Sequence, residues 1–259
     1  MTDIHMRTEN LHIEPIPAFE DNYIWLLHNN RDAVVIDPGD AAPVLEILKS
    51  KSLNLIAILI THHHADHIDG VAQLLTQYAA EVFAPKYEQY HFKHHALQDG
   101  DKINIKELDL SFDILWLPGH TLDHIAYLNA TDLFCGDVLF GAGCGRLLGG
   151  TAEQMLHSLN KLKALDPNTQ IYCTHEYTVK NINFALSLDP ANGDLIERKL
   201  AVAQLRRNNK ASIPNTLALE LKTNPFLRCH QQPIIKNSHA ENTDELSVFT
   251  TIRLLRNHY

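Results

Sequence analysis

Apolar residues in the first two thirds of the chain fall in short runs bounded by turn-forming residues. These runs are Tyr23 to Leu27, Ala33 to Ile36, Leu55 to Ile60, Glu81 to Ala84, Leu108 to Leu117, Ile125 to Leu128, Leu133 to Cys135 and Ile171 to Cys173. Runs of this kind predict strands. Between them, helical spacing predicts helices near Ala42 to Lys49, Val71 to Tyr78 and Ala152 to Leu165, the last preceded by Thr151 and Gln154 in capping-box spacing. Strands alternating with helices predict a mixed α/β domain over residues 1–178. Beyond 178 the strand signals stop. Helical patterns follow at Asp194 to Arg207, Leu217 to Lys222 and Asp244 to Arg256, separated by Pro214 and Pro225, and predict a helical domain over 179–259. Within the last pattern Leu246, Phe249, Ile252 and Leu255 recur near helical spacing, which predicts a face packed against the first domain.

Composition narrows the classes of function. No apolar run approaches the roughly 20 residues that cross a bilayer, and residues 1 to 20 lack the charged, apolar and small-residue series of a secretory leader. No membrane partner is expected, and the default location is the cytoplasm. A formal net charge of -9 disfavours nucleic acid, whose binding rests on phosphate neutralisation. Cys135, Cys144, Cys173 and Cys229 form no CxxC pair and are expected to remain thiols. The 17 histidines stand out, but their placement must decide their meaning.

Placement is most telling in Thr61-His62-His63-His64-Ala65-Asp66-His67, directly after the apolar run Leu55 to Ile60. If the chain stays extended, His62 and His64 project to one side and His63 to the other, since strand side chains alternate. A cation would then sit between His62 and His64. Asp66 and His67, entering the next helix, are aimed elsewhere and would begin a second site. His63 is expected to face solvent or to pack behind its neighbours. Three later runs each end on one more candidate: His120 in Leu117-Pro118-Gly119-His120-Thr121, Asp137 after Cys135-Gly136, and His175 in Cys173-Thr174-His175-Glu176-Tyr177. Asp37, before Pro38-Gly39, is read either as a turn former or as a partner that orients a ligating imidazole.

The ordered set His62, His64, Asp66, His67, His120, Asp137 and His175 resembles the ligand signature of dinuclear hydrolases of the metallo-β-lactamase superfamily. The resemblance implies that His62, His64 and His120 hold one metal, that Asp66, His67 and His175 hold the other, and that Asp137 bridges them. Two divalent ions per chain are implied, zinc foremost, with iron or manganese accepted by the same donors. The implied nucleophile is a metal-bridging hydroxide held by Asp137, with Asp66 adjacent. Further motifs resemble the glyoxalase II family: Ala18-Phe19-Glu20-Asp21-Asn22-Tyr23-Ile24-Trp25, Gly136-Asp137-Val138-Leu139-Phe140, Gly143-Cys144-Gly145-Arg146, His175-Glu176-Tyr177-Thr178 and Asn224-Pro225-Phe226. The implied fold is an αββα sandwich followed by a small C-terminal helical domain. The implied reaction is hydrolysis of S-(2-hydroxyacyl)glutathione, S-D-lactoylglutathione in particular, to glutathione and D-lactate, the second step of methylglyoxal detoxification.

By the same resemblance Arg146, Tyr177 and Arg256 contact the glutathione moiety, and a monomer is expected. Two departures bear on that contact. Leu148 stands where the family commonly has an aromatic residue, and Tyr259 where it often has a Lys. Cys144 has no convincing His/Asp partner pattern and is read as a packing or turn residue. The rival readings are a lactonase or β-lactamase, a one-iron glutathione persulfide dioxygenase, and a non-catalytic binding module. The motifs outside the ligands argue against the first pair, the intact second-site set against the dioxygenase, and the complete ligand set against the module.

Overall fold

Strand β1 (His12–Ala18) opens the computed structural model, which describes residues 11–87 and 89–259. The start of the predicted first domain and half of the segment tested for a leader, residues 1–10, lie outside the described residues. The chain packs as two units, one running up to Trp116 and including Asp123–Gly136, the other comprising Leu117–Leu122 and Asp137–Tyr259.

In the first unit β1, β2 (Asn22–His28), β3 (Asp32–Ile36), β4 (Asn54–Leu59), β5 (Glu81–Pro85) and β6 (His95–Leu97) form one sheet in sequence order. The pairs β1–β2 and β2–β3 are antiparallel, and the pairs from β3 to β6 are parallel. The crossovers carry α1 (Ala41–Lys51), α2 (Ala65–Ile68) and α3 (Val71–Leu75). β2 and β3 are buried along their whole length, which is why they read as continuous apolar runs. One face of this sheet packs with Val44 and Leu48 of α1 and Val71 and Leu74 of α3. A second, antiparallel sheet of the unit runs β7 (Lys102–Ile105), β8 (Leu110–Trp116), β9 (Ile125–Asn129) and β10 (Asp132–Gly136). β8 alternates buried Leu110, Phe112 and Ile114 with exposed Ser111 and Asp113, the pattern of a one-sided strand. The Tyr127 hydroxyl, on β9, lies 2.8 and 3.0 Å from the carbonyls of Ile60 and Phe83, so a buried side chain of one sheet reaches the backbone beside the other.

The second unit holds a two-strand hairpin, β11 (Leu139–Phe140) with β12 (Gly143–Cys144), then α4 (Ala152–Lys163) and β13 (Gln170–Cys173). Helices α5 (Thr178–Leu188) and α6 (Gly193–Arg207) follow, then β14 (Asn215–Thr216), α7 (Leu217–Thr223), α8 (Gln232–Ser238) and α9 (Glu245–Asn257). The capping box forms as expected, with Gln154 N donating to Thr151 Oγ1 and Thr151 N to Gln154 Oε1.

Several elements differ from the expectation. Strand signals do not stop at 178, because β14 pairs antiparallel with β13; two residues are too few to carry an alternation. The run from Leu108 starts its strand only at Leu110, since Lys106–Leu108 form a 3-10 turn closed by left-handed Asp109. α3 ends at Leu75 instead of Tyr78. α9 packs against α4, as expected of an apolar face, but its buried stripe is Val248, Phe249, Ile252 and Arg253. Leu246 and Leu255 are exposed because, at 100° per residue, they fall at the stripe's edges.

Candidate functional site

In the first unit the candidate ligands hang from the end of β4. The buried end of this strand delivers Thr61 to Asp37, which follows the fully buried β3 with a left-handed φ of 55°. Thr61 N and Thr61 Oγ1 donate to the two Asp37 oxygens, each at 2.7 Å, and His67 Nδ1 lies 2.9 Å from Asp37 Oδ2. Asp37 thus sits in the turn before Pro38-Gly39 and beside the His67 imidazole. His67 Nε2 lies 3.6 Å from Asp66 Oδ2, so this imidazole stands between two carboxylates. Thr61 Oγ1, its proton given to Asp37, is placed to accept from His62 Nδ1 at 3.0 Å, which leaves the Nε2 lone pair of His62 facing His64 Nδ1, 3.0 Å away. His62 and His64 do project together. His67 does not diverge from them, however: its ring centroid is 4.0 Å from that of His62, because the first turn of α2 folds the chain back.

Potential donor atoms lie within 4.8 Å of one another in the pairs His62 and His64, His62 and His67, and Asp66 and His67. Asn22 Nδ2 donates to Asp66 Oδ2 at 3.0 Å, a contact not foreseen although Asn22 stands inside a motif singled out above. A Cβ on Gly39 would meet the Asp66 carbonyl oxygen at 1.9 Å, so the turn after Asp37 needs glycine to approach α2. His63 turns away as expected, its Nδ1 2.7 Å from Asp123 Oδ1 and its ring stacked on Tyr87 at 4.4 Å.

In the second unit Asp137 lies between two imidazoles. Its Oδ2 is 3.5 Å from His120 Nε2 and 3.3 Å from His175 Nε2. His120 Nδ1 donates to the Arg146 carbonyl at 2.8 Å, which again leaves the Nε2 lone pair as the donor. The ring of His175 is stacked on Tyr177, centroids 4.7 Å apart and planes 2° from parallel. A Cβ on Gly145 would meet the Asp137 carbonyl oxygen at 2.0 Å and His120 Nδ1 at 3.2 Å, so the Gly143-Cys144-Gly145 turn closes tightly on both candidate ligands. Backed imidazoles and carboxylates of this kind suit a divalent cation of the zinc or iron type.

Of the candidate substrate contacts, Arg146 is exposed, Tyr177 is half-buried, and Arg256 is half-buried with Nε donating to Asn181 Oδ1 at 3.1 Å. Burial first, then the charges of Arg253 and Arg146, lower the Arg256 guanidinium below its ordinary value. This is a local cationic group on a chain of net charge -9. Arg253 was not anticipated: it is buried, its Nη1 donating to the Cys144 carbonyl at 2.6 Å and the Gly145 carbonyl at 3.3 Å, its guanidinium 5.1 Å from the Phe226 ring centre. Leu148 is exposed, and Tyr259 sets its ring edge-on to Phe184. All four cysteines are buried and outside any disulfide, and burial pushes the Cys144 thiol up, away from nucleophilic use.

Residues 18–175 match the family profile described as the metallo-beta-lactamase superfamily, and residues 176–259 match the profile described as the hydroxyacylglutathione hydrolase C-terminus. The chain is 54% identical over 247 residues to a hydroxyacylglutathione hydrolase of Methylobacillus flagellatus, covering 95% of this chain and 99% of the relative. It is 48% identical over 253 residues to one of Vibrio cholerae, covering 96% of this chain and 100% of that relative. Among solved structures it resembles ETHE1 from Myxococcus xanthus, with a TM-score of 0.67 and 23% identity over 95% of this chain and 90% of the other. It also resembles the BLEG-1 B3 metallo-beta-lactamase, with a TM-score of 0.62 and 23% identity over 83% of this chain and 99% of the other.

Proposed function

This chain belongs to the hydroxyacylglutathione hydrolase family of the metallo-β-lactamase superfamily, and on that premise we propose that it hydrolyses S-(2-hydroxyacyl)glutathione, S-D-lactoylglutathione foremost, to glutathione and a 2-hydroxy acid. The observation that carries the reading is the single Asp137 oxygen set between the Nε2 atoms of His120 and His175. A carboxylate so placed is suited to share two cations. In this reading His62, His64 and His120 hold one ion, Asp66, His67 and His175 hold the other, and Asp137 serves both. Zinc is the first choice of metal. Bound there, the two cations would supply Lewis acidity for the thioester carbonyl and a water of pKa near about 7. The chain's own residues do the rest. Thr61 fixes the tautomer of His62 and the Arg146 carbonyl that of His120, while the Asp37 carboxylate stands beside His67 Nδ1.

Residues 1–178 then form the catalytic domain and 179–259 the substrate-binding one, in a cytoplasmic monomer. Arg146, Arg256 and Tyr177 supply cations and a phenol for the two carboxylates of the tripeptide. Glutathione leaves as a thiolate and needs little protonation, so no acid is required beside it. Leu148 offers no hydroxyl, which shifts the binding onto the arginines.

The purified protein is expected to release thiol from S-D-lactoylglutathione, much less from an S-acyl-CoA control, and to lose activity to chelators. Lack of turnover in a preparation carrying two metals per chain would overturn the substrate assignment. Arg256→Ala is expected to raise KM for glutathione thioesters about 10- to 150-fold, the equivalent of a charge-assisted contact of about 1.5 to 3 kcal/mol, with a smaller change in kcat. Unaltered kinetics in a folded, metal-replete variant would leave Arg146 and Tyr177 as the substrate contacts.

A further inference from the structure

The segment after Asp137 has almost no ladder of its own. Its two-residue hairpin, β11 with β12, is held by side chains from the C-terminal helices. Asn224 Nδ2 donates to the carbonyls of Phe140 (3.2 Å) and Gly143 (2.9 Å), Asn181 Nδ2 to that of Gly141 (3.0 Å), and Arg253 to those of Cys144 and Gly145. Most of these contacts only fix the loop. Asn181 is different, because its amide works on two sides: while Nδ2 holds Gly141, Oδ1 accepts from Arg256 Nε at 3.1 Å. Asn181 is buried one turn into α5, the helix that follows His175 and Tyr177 in the chain. The loop is shaped to admit it, since a Cβ on Gly143 would meet Asn181 Nδ2 at 2.3 Å.

We propose that Asn181 is a positioning residue for substrate binding, its amide aligning Arg256 of α9 with the loop that carries Asp137 and Arg146. The inference rests on the thioesterase reading above and names how one cation of the binding group is aimed. Arg256 stands close enough to Arg253 and Arg146 for their charges to disfavour its own. A guanidinium in that position tends to swing toward water. The Asn181 carbonyl oxygen holds it by Nε, which leaves its two terminal nitrogens for a carboxylate. The same amide fixes Gly141, so the guanidinium and the loop share one reference point.

A double-mutant cycle on the holoenzyme tests this. Thioester turnover by the wild type and the Arg256→Ala penalty are measured first, and absence of turnover would remove the reading and this inference together. Asn181→Ala is expected to raise KM at least about 3-fold with kcat changed less, and in its background Arg256→Ala should change KM by less than about 3-fold, since groups in direct contact do not add. Asn181→Asp provides a second background should the alanine variant fold poorly. Its carboxylate would pair with Arg256 and draw that charge from the substrate, so KM should again rise and Arg256→Ala again add little. A purely structural Asn181 would lower the melting temperature and leave the Arg256→Ala penalty at its wild-type size in both backgrounds. That additive result, in an enzyme that does turn over the thioester, would overturn the inference and leave the reading standing.

Discussion

Replacing Asp137 by alanine is expected to lower kcat/KM for S-D-lactoylglutathione by more than about 100-fold. Removing a partner that merely orients a metal ligand costs about 10- to 100-fold, and a carboxylate that serves both ions must exceed that. In free energy the expected loss is at least about 2.7 kcal/mol of transition-state stabilisation. Metal content separates this position from the others. Asp137→Ala should disturb both ions, whereas His64→Ala, at a ligand assigned to one, should spare the second. The contrast has a geometric basis, because at Asp137 one carboxylate oxygen approaches the Nε2 atoms of two candidate ligands, at 3.5 and 3.3 Å. Emission spectroscopy for metal and thiol release for turnover provide the two readouts. An Asp137→Ala protein with two metals per chain and full activity would show that the bridging assignment is wrong.

The strands that carry this site were legible because burial leaves its mark on composition. β2, β3 and β4 are covered on both faces, so their sequences are nearly unbroken apolar runs. The ligand run was legible because it follows such a strand and because donors at alternate positions share a side. Less visible was what a polar side chain does once buried. β1 carries Pro15 and Pro17, residues tolerated at a sheet edge, and gives no clean strand signal. α5 and α8 escaped notice, though Asn181 on α5 holds the loop after Asp137. Arg253 is the sharpest case. Periodicity assigned the apolar face of α9 to Leu246, Phe249, Ile252 and Leu255, while the structure exposes the outer two and buries Arg253, 3% exposed, in that stripe. An arginine counts as polar in any pattern until the acceptors that satisfy it, here two loop carbonyls distant in sequence, are known.

The same blindness to buried polar groups hid the Arg198–Glu220 pair, and there the largest effect on stability is expected. Arg198 on α6 and Glu220 on α7 are 4% and 1% exposed and form a close ion pair. Arg198 Nη1 also donates to Thr223 Oγ1 at 2.6 Å. The other Glu220 oxygen accepts from Ala142 N at 2.9 Å and Asn224 Nδ2 at 3.1 Å, and Ala142 is held at a left-handed φ of 54°. One carboxylate therefore neutralises a buried cation and anchors the loop that follows Asp137. Glu220→Ala leaves that guanidinium without its counter-charge and is expected to destabilise the fold by about 3 to 5 kcal/mol in urea unfolding. An apolar double variant, Arg198→Met with Glu220→Met, should recover part of the loss, because no charge remains buried. Recovery should stay incomplete, since Ala142 N would still lack an acceptor, at a cost of about 1 to 3 kcal/mol. A Glu220→Ala protein within about 1 kcal/mol of the wild type, inside the range of an exposed pair, would mean that water reaches Arg198 and that this network does not anchor the loop.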